Sequence, residues 1–366
     1  LGMSNNINQQ NFQADNVPGG GSGMGGGRGM GMGGPQSGIF TTNALGFNYT
    51  DSWGKKLVLN ASYFWNNGTT TTNRITDRQY IITKDSNQYY NEKSRSTNEN
   101  TNHRINARIE YNIDTNNSII LSPRFTIQDN NSKSAFAAKT ATSIDYLQSN
   151  LINSSVNNSS GTTPGYSLNN DFLYRHKFSK RGRTISLNLG TGYNYRTRDN
   201  YLNTQTVYYQ QMQGKLNDSV DQYGKSLSNS LSLSSNVVYT EPIGKFSQLQ
   251  LNYNVSWSKN DNDKKTYNYA SDRQDYTVFD TLLSNVYKNY YVTHRVGTGY
   301  ILQTEKANLN AGITYQYASL EGNTSFPELD STRRYFNNML PNIMFNYKFT
   351  KLTNLCAIHQ PVTKGN

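Results

Sequence analysis

The sequence predicts an all-β fold: an antiparallel, up-and-down transmembrane β-barrel, read as about eleven strands of a larger barrel. Three observations predict it. Apolar residues recur at every second position, short turns alternate with long polar stretches, and the apolar stripes end in aromatic residues. The short turns lie at 51–56 (Asp51-Ser52-Trp53-Gly54-Lys55-Lys56), 114–117, 179–182, 241–245, 303–306 and 350–353. They recur at intervals of roughly sixty residues, shrinking at the last step, and each interval holds two strand-like segments with a long polar loop between them. Short turns on one side and long loops on the other are the signature of a membrane-crossing barrel.

Four segments carry the alternation most clearly. In 56–65, Leu57, Leu59, Ala61, Tyr63 and Trp65 oppose Val58, Asn60, Ser62 and Phe64. In 183–196, Ile185, Leu187, Leu189, Tyr193 and Tyr195 oppose Ser186, Asn188, Gly190, Gly192 and Asn194. In 246–257, Leu249, Leu251, Tyr253, Val255 and Trp257 oppose Gln248, Gln250, Asn252, Asn254 and Ser256. In 307–318, Leu309, Ala311, Ile313, Tyr315 and Tyr317 oppose Asn308, Asn310, Gly312, Thr314 and Gln316. Successive side chains of a strand point to opposite faces, so each segment has one apolar face and one polar, small face. Weaker members are 39–50, 103–113, 118–128, 166–178, 225–240, 289–302 and 335–349. Each is near the ~9–11 residues that cross a bilayer at a tilt. Pro123 and Pro341 fall inside two of them, and proline cannot donate to a ladder, so each is expected to mark a bulge or a strand end.

A soluble sandwich would have short connections at both ends, whereas the polar stretches here run to roughly twenty to forty residues against a usual handful. Tyr63, Trp65, Tyr193, Tyr195, Trp257, Tyr315 and Tyr317 lie beside long loops, and Trp53 lies at a short turn. Tyr and Trp suit a membrane interface, where one edge of the ring is apolar and the other is wet. Leu187, Leu251 and Ile313 are therefore expected to meet lipid, and Asn188, Asn252 and Thr314 to face the lumen.

Composition agrees. Only 34% of the 366 residues are hydrophobic and mean hydropathy is -0.77, too polar for an ordinary globular domain of this length. A barrel needs no apolar lumen or loops. No run approaches the length of a membrane-spanning helix. No signal peptide is visible, and Leu1-Gly2-Met3 is not a natural start. Residues 1–38, rich in Gly with Met24, Arg28, Met30 and Met32, are read as a mobile outer loop. No strand and helix flank it as a phosphate cradle requires, and the pairs Gly190/Gly192 and Gly297/Gly299 sit mid-strand, where Gly relieves crowding.

The net charge of +11 and pI near 9.4 raise the question of nucleic acid. Much of the excess lies at the short turns, in Lys55, Lys56, Lys180, Arg181, Arg183, Lys245, Lys306 and Lys351 among others. That is a charged rim, read as solvated turn residues or as contacts to anionic headgroups, and no nucleic-acid partner is expected.

No catalytic constellation stands out, and the chain is read as not an enzyme, with no cofactor. His103, His176, His294 and His359 are scattered without metal-ligand spacing; three fall in strands, where hydrogen-bonded structural roles are expected. No G-x-S-x-G elbow occurs. Asp261-Asn262-Asp263 could attract calcium but lacks the rest of a ligand loop, so no metal site is assigned. The lone Cys356 cannot form an internal disulfide.

Several stretches carry a family resemblance. The Gly/Met/Arg-rich segment is followed by Gly38-Ile39-Phe40-Thr41-Thr42-Asn43-Ala44 and by the 51–56 turn; later come Asn338-Met339-Leu340-Pro341 and Asn346-Tyr347-Lys348-Phe349-Thr350. This order resembles the outer-membrane β-barrel family of TonB-dependent-receptor type found in Bacteroidota. The resemblance covers nearly everything to about Leu355 and implies the outer membrane of a Gram-negative bacterium, outer-membrane lipid as surroundings, and a barrel of about 22 strands. It also implies a plug, absent here, through which an inner-membrane energy-transducing complex would act. Residues 39–355 are read as part of such a barrel. Residues 356–366 lose the alternation and are read as a truncated or frame-shifted tail. An eleven-strand sheet with edges at 39–50 and 335–349 would expose unpaired backbone, so the isolated chain is expected to aggregate or to curl into a strained smaller barrel.

The leading functional reading is the barrel portion of a receptor for uptake of a scarce solute. An adhesin or surface scaffold barrel without transport and a secreted soluble β-rich binding protein stay open beside it. For an unknown extracellular ligand, Tyr89, Tyr90, Tyr208, Tyr209, Tyr267 and Tyr269 in the loops 66–102, 197–224 and 258–288 are the expected anchors, because Tyr offers a large face and a hydrogen bond. A further polar loop is read at 130–164.

Overall fold

The computed structural model describes residues 38–83, 86–210, 214–349 and 353–359. The strands are β1 (Ile39–Trp53), β2 (Leu57–Thr83), β3 (Ser86–Asn112), β4 (Asn117–Ala141), β5 (Leu151–Lys177), β6 (Thr184–Gln210), β7 (Gly214–Pro242), β8 (Ser247–Ala270), β9 (Asp275–Gln303), β10 (Ala307–Phe326), β11 (Asp330–Lys348) and β12 (Asn354–His359). They form one 12-stranded sheet in sequence order, and each neighbouring pair is antiparallel. The up-and-down topology is as the turns predict. Among the described residues β1 and β12 each pair on one side only.

The described residues form twelve strands against an expectation of about eleven. Residues 354–359 lack the alternation that flags a strand, yet they extend the sheet by pairing with 343–348 of β11, which is therefore covered along that stretch. The rest of the segment read as a tail, and the Gly-rich segment up to residue 37, lie outside the described residues.

The larger correction concerns the long loops. Strands β2 to β9 are 24 to 29 residues long, roughly 80–100 Å at ~3.4 Å per residue. Most of each segment read as loop is a continuation of its two flanking strands. The connection between β8 and β9 is a turn over 271–274, and that between β4 and β5 spans 142–150. What holds these distal ladders together is polar. Asn100 accepts from the Gln128 amide at 2.9 Å, Asn98 from Asn130 at 2.6 Å, and Thr204 from Asn157 at 2.5 Å. Such cross-strand pairs contribute roughly 0.2–1 kcal/mol each without any apolar stripe to announce them.

Neither Pro123 nor Pro341 ends a strand or shifts the register. The β3–β4 pairing lapses between Asn106↔Arg124 and Ile109↔Leu121, across Pro123, and resumes in register. Pro164 makes the same lapse between β5 and β6. The β10–β11 ladder runs unbroken through Pro341, which pairs with Ile313 and lies beyond Ile343, the last β11 residue paired with β12 among the described residues.

The five expected short turns from 51–56 to 303–306 fall where expected at the other end, and most of the sixth, 350–353, lies outside the described residues. Gly54 has φ +66° and Gly182 φ +86°, left-handed values that favour glycine. In the β3–β4 turn the Asp114 carboxylate accepts from the backbone N–H of Asn116 at 2.7 Å and of Asn117 at 2.8 Å, and from the Asn117 amide. These bonds, the Asn117 side chain foremost, hold the carboxyl below its usual range. At the β7 end Glu241 accepts from Arg183 at 2.7 Å and Lys180 at 2.5 Å, with the Tyr239 hydroxyl at 2.6 Å. Part of the charged rim is thereby paired. Lys351 lies outside the described residues.

Candidate functional site: a lipid-facing band and its outward extension

Register places most of the apolar residues of the membrane-crossing stretches on one face, with Val58, Ile120, Leu173 and Val238 on the other. Leu187 pairs with Val237, Tyr239 with Leu251, and Leu251 with Thr298, which pairs in turn with Ile313. Asn252 shares the other face with Gly297 and Thr314. The two faces differ in burial in a sense opposite to that of a soluble protein. Leu45 is 51% exposed, Leu251 47% and Ile313 45%, whereas on the polar face Asn102 is 5% exposed and Thr293 1%. Polar side chains inside and apolar side chains outside are stable only where the surroundings are themselves apolar.

The polar face is tightly packed. A Cβ at Gly190 would meet Ser234 Oγ at 2.5 Å, and one at Gly192 would meet Ser232 Oγ at 2.6 Å; at Gly297 it would run into Asn252 and Thr314. These three glycines make room for amides and hydroxyls from both neighbours, as their mid-strand position predicts. Gly299 has only a carbonyl oxygen at 3.9 Å and is not crowded.

Two rows of aromatics bracket the exposed apolar band. The distal row includes Tyr63 and His103, joined hydroxyl to Nδ1 at 3.0 Å, the stacked pair Tyr166 and Tyr195 with centroids 5.3 Å apart, and Tyr253 with His294, again at 3.0 Å. His103, His294 and His176, which lies 2.7 Å from Asn117 Oδ1, thus have the hydrogen-bonded roles expected of strand histidines. Near the short turns a second row contains Trp53, whose indole donates to Asp51 at 2.7 Å, Tyr174, which donates to Asn117 at 2.7 Å, and Tyr239. Only Trp53 of this row was expected. On β5 the rows are set by Tyr166 and Tyr174, a stretch matching the ~9–11 residues of a tilted crossing.

Beyond the distal row the outward face of β8 turns charged at once. Along β8, Trp257 is followed on the same face by Lys259, Asp261, Asp263 and Lys265; Lys259 pairs with Asp261 at 2.9 Å and Lys265 with Asp263 at 2.9 Å. Asn262 points to the opposite face, so Asp261-Asn262-Asp263 does not converge on one point. This abrupt change fixes the upper edge of the membrane-spanning segments.

Above that edge the outward face carries an aromatic and acidic cluster. Tyr201 and Tyr223 lie 4.9 Å apart by centroid, Tyr201 and Tyr276 5.6 Å, and Tyr269 and Tyr276 5.4 Å, with Tyr267 against Phe279 at 5.5 Å. Tyr223 donates to Asp199 at 2.5 Å and Tyr276 to Asp221 at 2.8 Å, and Asp221 also accepts from Asn203 at 3.0 Å. The Tyr223 hydroxyl is pushed up to about 12, first by its bond to Asp199 and then by burial. For Tyr276 burial acts first and Asp221 second, also to about 12. Both phenols stay protonated donors at any physiological pH. Beside the cluster is a cleft of about 630 Å³, bordered by Tyr201, Asn203, Asp221 and Tyr276 on one side and by Arg95 and Lys133 on the other.

The six tyrosines expected in loops all lie on strands. Tyr267 and Tyr269 belong to the cluster. Tyr89 receives a long hydrogen bond from Gln79, at 3.5 Å, and Tyr90 donates to Glu92 at 2.5 Å on the polar face of β3. Tyr209 lies 3.2 Å from Ser154 Oγ, and Tyr208 is on the polar face of β6. The structure does not bring these four together with the cluster. Tyr201, Tyr223 and Tyr276 were missed; they sit where alternation of apolar residues has ceased.

Face, belts and topology together define a transmembrane β-barrel wall of the up-and-down kind. Residues 176–357, about half of the chain, match the model of the outer membrane protein beta-barrel family. The chain is an outer-membrane β-barrel protein of a Gram-negative cell. Among solved structures it is similar to the translocator domain of autotransporter NalP from Neisseria meningitidis, at 11% identity over 85% of this chain and 86% of that one, with a TM-score of 0.24. It is also similar to the siderophore receptor PiuA from Acinetobacter baumannii, at 8% identity over 87% and 75%, with a TM-score of 0.12. Scores this low carry no argument about function. Comparison with curated proteins gives no match.

Proposed function

We propose that this chain is the barrel portion of an outer-membrane receptor of TonB-dependent type that takes up a scarce solute and has no enzymatic activity. The observation that supports this reading is the polar face, a run of amides, hydroxyls and glycines on β6 from Ser186 through Asn188, Gly190 and Gly192 to Asn194. Such a surface suits a wetted conduit. In this reading lipid contacts the outward apolar band, and an inner-membrane energy-transducing complex acts through a plug. The test is deletion of the gene in its host, followed by growth on a panel of nutrients each supplied at limiting concentration. The reading expects a growth defect on one nutrient that disappears when that nutrient is abundant. Unchanged growth on all of them would contradict it.

A second reading, a surface scaffold or adhesin without transport, is favoured by one observation: the tyrosine cluster and its cleft lie on the outward face, away from the lumen. It expects the deletion strain to grow normally and to lose attachment to surfaces.

A further inference from the structure

The cleft above the distal aromatic row follows from two adjacent rows of cross-strand partners on the outward face. One row runs Thr97, Lys133, Ser160, Tyr201 and Tyr223 from β3 to β7; the next runs Arg95, Ala135, Asn158, Asn203 and Asp221. In the first row the long Lys133 and Tyr201 flank the short Ser160, and in the second the long Arg95 is followed by the short Ala135 and Asn158. Strands β4 and β6 are two spacings apart, so the floor is about 10 Å wide. That is the breadth of one sugar ring with its substituents.

The walls differ in chemistry. Among the described residues no carboxylate is within ion-pair distance of Arg95 or Lys133, and both are exposed. Opposite them Tyr201, 47% exposed, offers a ring face, and Asp221 and Asn203 offer hydrogen bonds. We propose that this cleft binds an anionic saccharide, with Arg95 and Lys133 on its carboxylate or phosphate, Tyr201 against the ring, and Asp221 and Asn203 on hydroxyls. Each alternative leaves part of the site unused. An alkyl chain would strip water from the polar floor, a neutral sugar would leave both cations unpaired, and a polyanion would meet Asp221 and Asp199. A single negative charge at one end of a polyhydroxylated ring satisfies all of it.

Two sources share this chemistry: a saccharide linked to lipid in the leaflet alongside the barrel, and a free saccharide from the medium. The site does not depend on uptake, so it can stand if the transport reading fails. The experiment uses the purified full chain in lipid nanodiscs. One arm compares methyl galacturonide, which carries one carboxylate, with neutral methyl galactoside; the other compares vesicles carrying a diacylglycerol lipid with a single glucuronic acid headgroup with vesicles of phosphatidylglycerol. The expected result is at least tenfold tighter binding of the acidic over the neutral sugar, or of the glucuronosyl lipid over phosphatidylglycerol. A preference in the first arm assigns a free ligand and in the second a membrane glycolipid. Arg95→Gln with Lys133→Gln should remove that preference, and Tyr201→Ala should weaken binding at least tenfold. Lys288→Gln, a charge loss elsewhere on the same face, should change nothing. If the double variant fails to fold, Arg95→Gln alone should lose most of the preference. Equal binding of each matched pair, no binding in either arm, or an equal loss in Lys288→Gln would overturn the proposal.

Discussion

Arginine at Leu189 should destabilise the folded protein in lipid by roughly 2 to 4 kcal/mol, whereas arginine at the adjacent Asn188 should cost much less. The two positions differ by one residue along β6 and by a whole face of the sheet. Leu189 shares the outward face with Phe172 and Ser235, between the level of Leu187, which pairs with Tyr174 of the turn-side row, and that of Tyr195 in the distal row. A guanidinium there has no water and no partner, so its desolvation is uncompensated. At Asn188 the side chain joins Leu173 and Asn236 on the polar face, where water and amides can solvate a charge. Urea titration of folding into phosphatidylcholine vesicles checks this. Equal losses at the two sites would mean that the apolar face is not the lipid face.

Valine at Gly297 should cause the next largest loss, about 1 to 3 kcal/mol. The space its side chain needs is already taken by Asn252 from β8 and Thr314 from β10, so two ladders must give way at once. Alanine at Gly299, where the nearest atom would be 3.9 Å away, should be nearly neutral. The pair separates crowding from the general effect of replacing a glycine in a strand, and the same vesicle assay reads both.

Much of the wall was legible in the sequence because the bilayer imposes a period of two. Leu249, Leu251, Tyr253, Val255 and Trp257 are apolar on alternate positions since one face meets lipid, and that constraint ends where the lipid ends. Above it Lys259, Asp261, Asp263 and Lys265 keep the same period in charges. An apolar reading passes over this and reads those residues as loop. The argument from loop length therefore fails, since the distal connections that the structure describes are short; exposure of the apolar face replaces it as the evidence for a membrane. Residues 354–359 escaped notice for a related reason: a strand recruited by an existing edge needs no alternation of its own. The cleft was not legible at all. Arg95, Lys133 and Tyr201 are far apart in sequence and meet only through the register of four strands, although the spacing of Tyr267 and Tyr269 already placed one side of the cluster on a single face.

The central claim is that one face of the sheet meets lipid up to the distal aromatic row and water beyond it. Spin labels placed singly from 249 to 265 along β8, with Cys356 replaced by serine, test this most directly through their accessibility to oxygen and to a nickel chelate. The account predicts oxygen maxima at Leu251, Tyr253 and Val255, minima at Asn252 and Asn254, and a switch to nickel accessibility at Lys259 and Asp261. Oxygen accessibility without alternation, or persisting past Trp257 to Lys265, would contradict it.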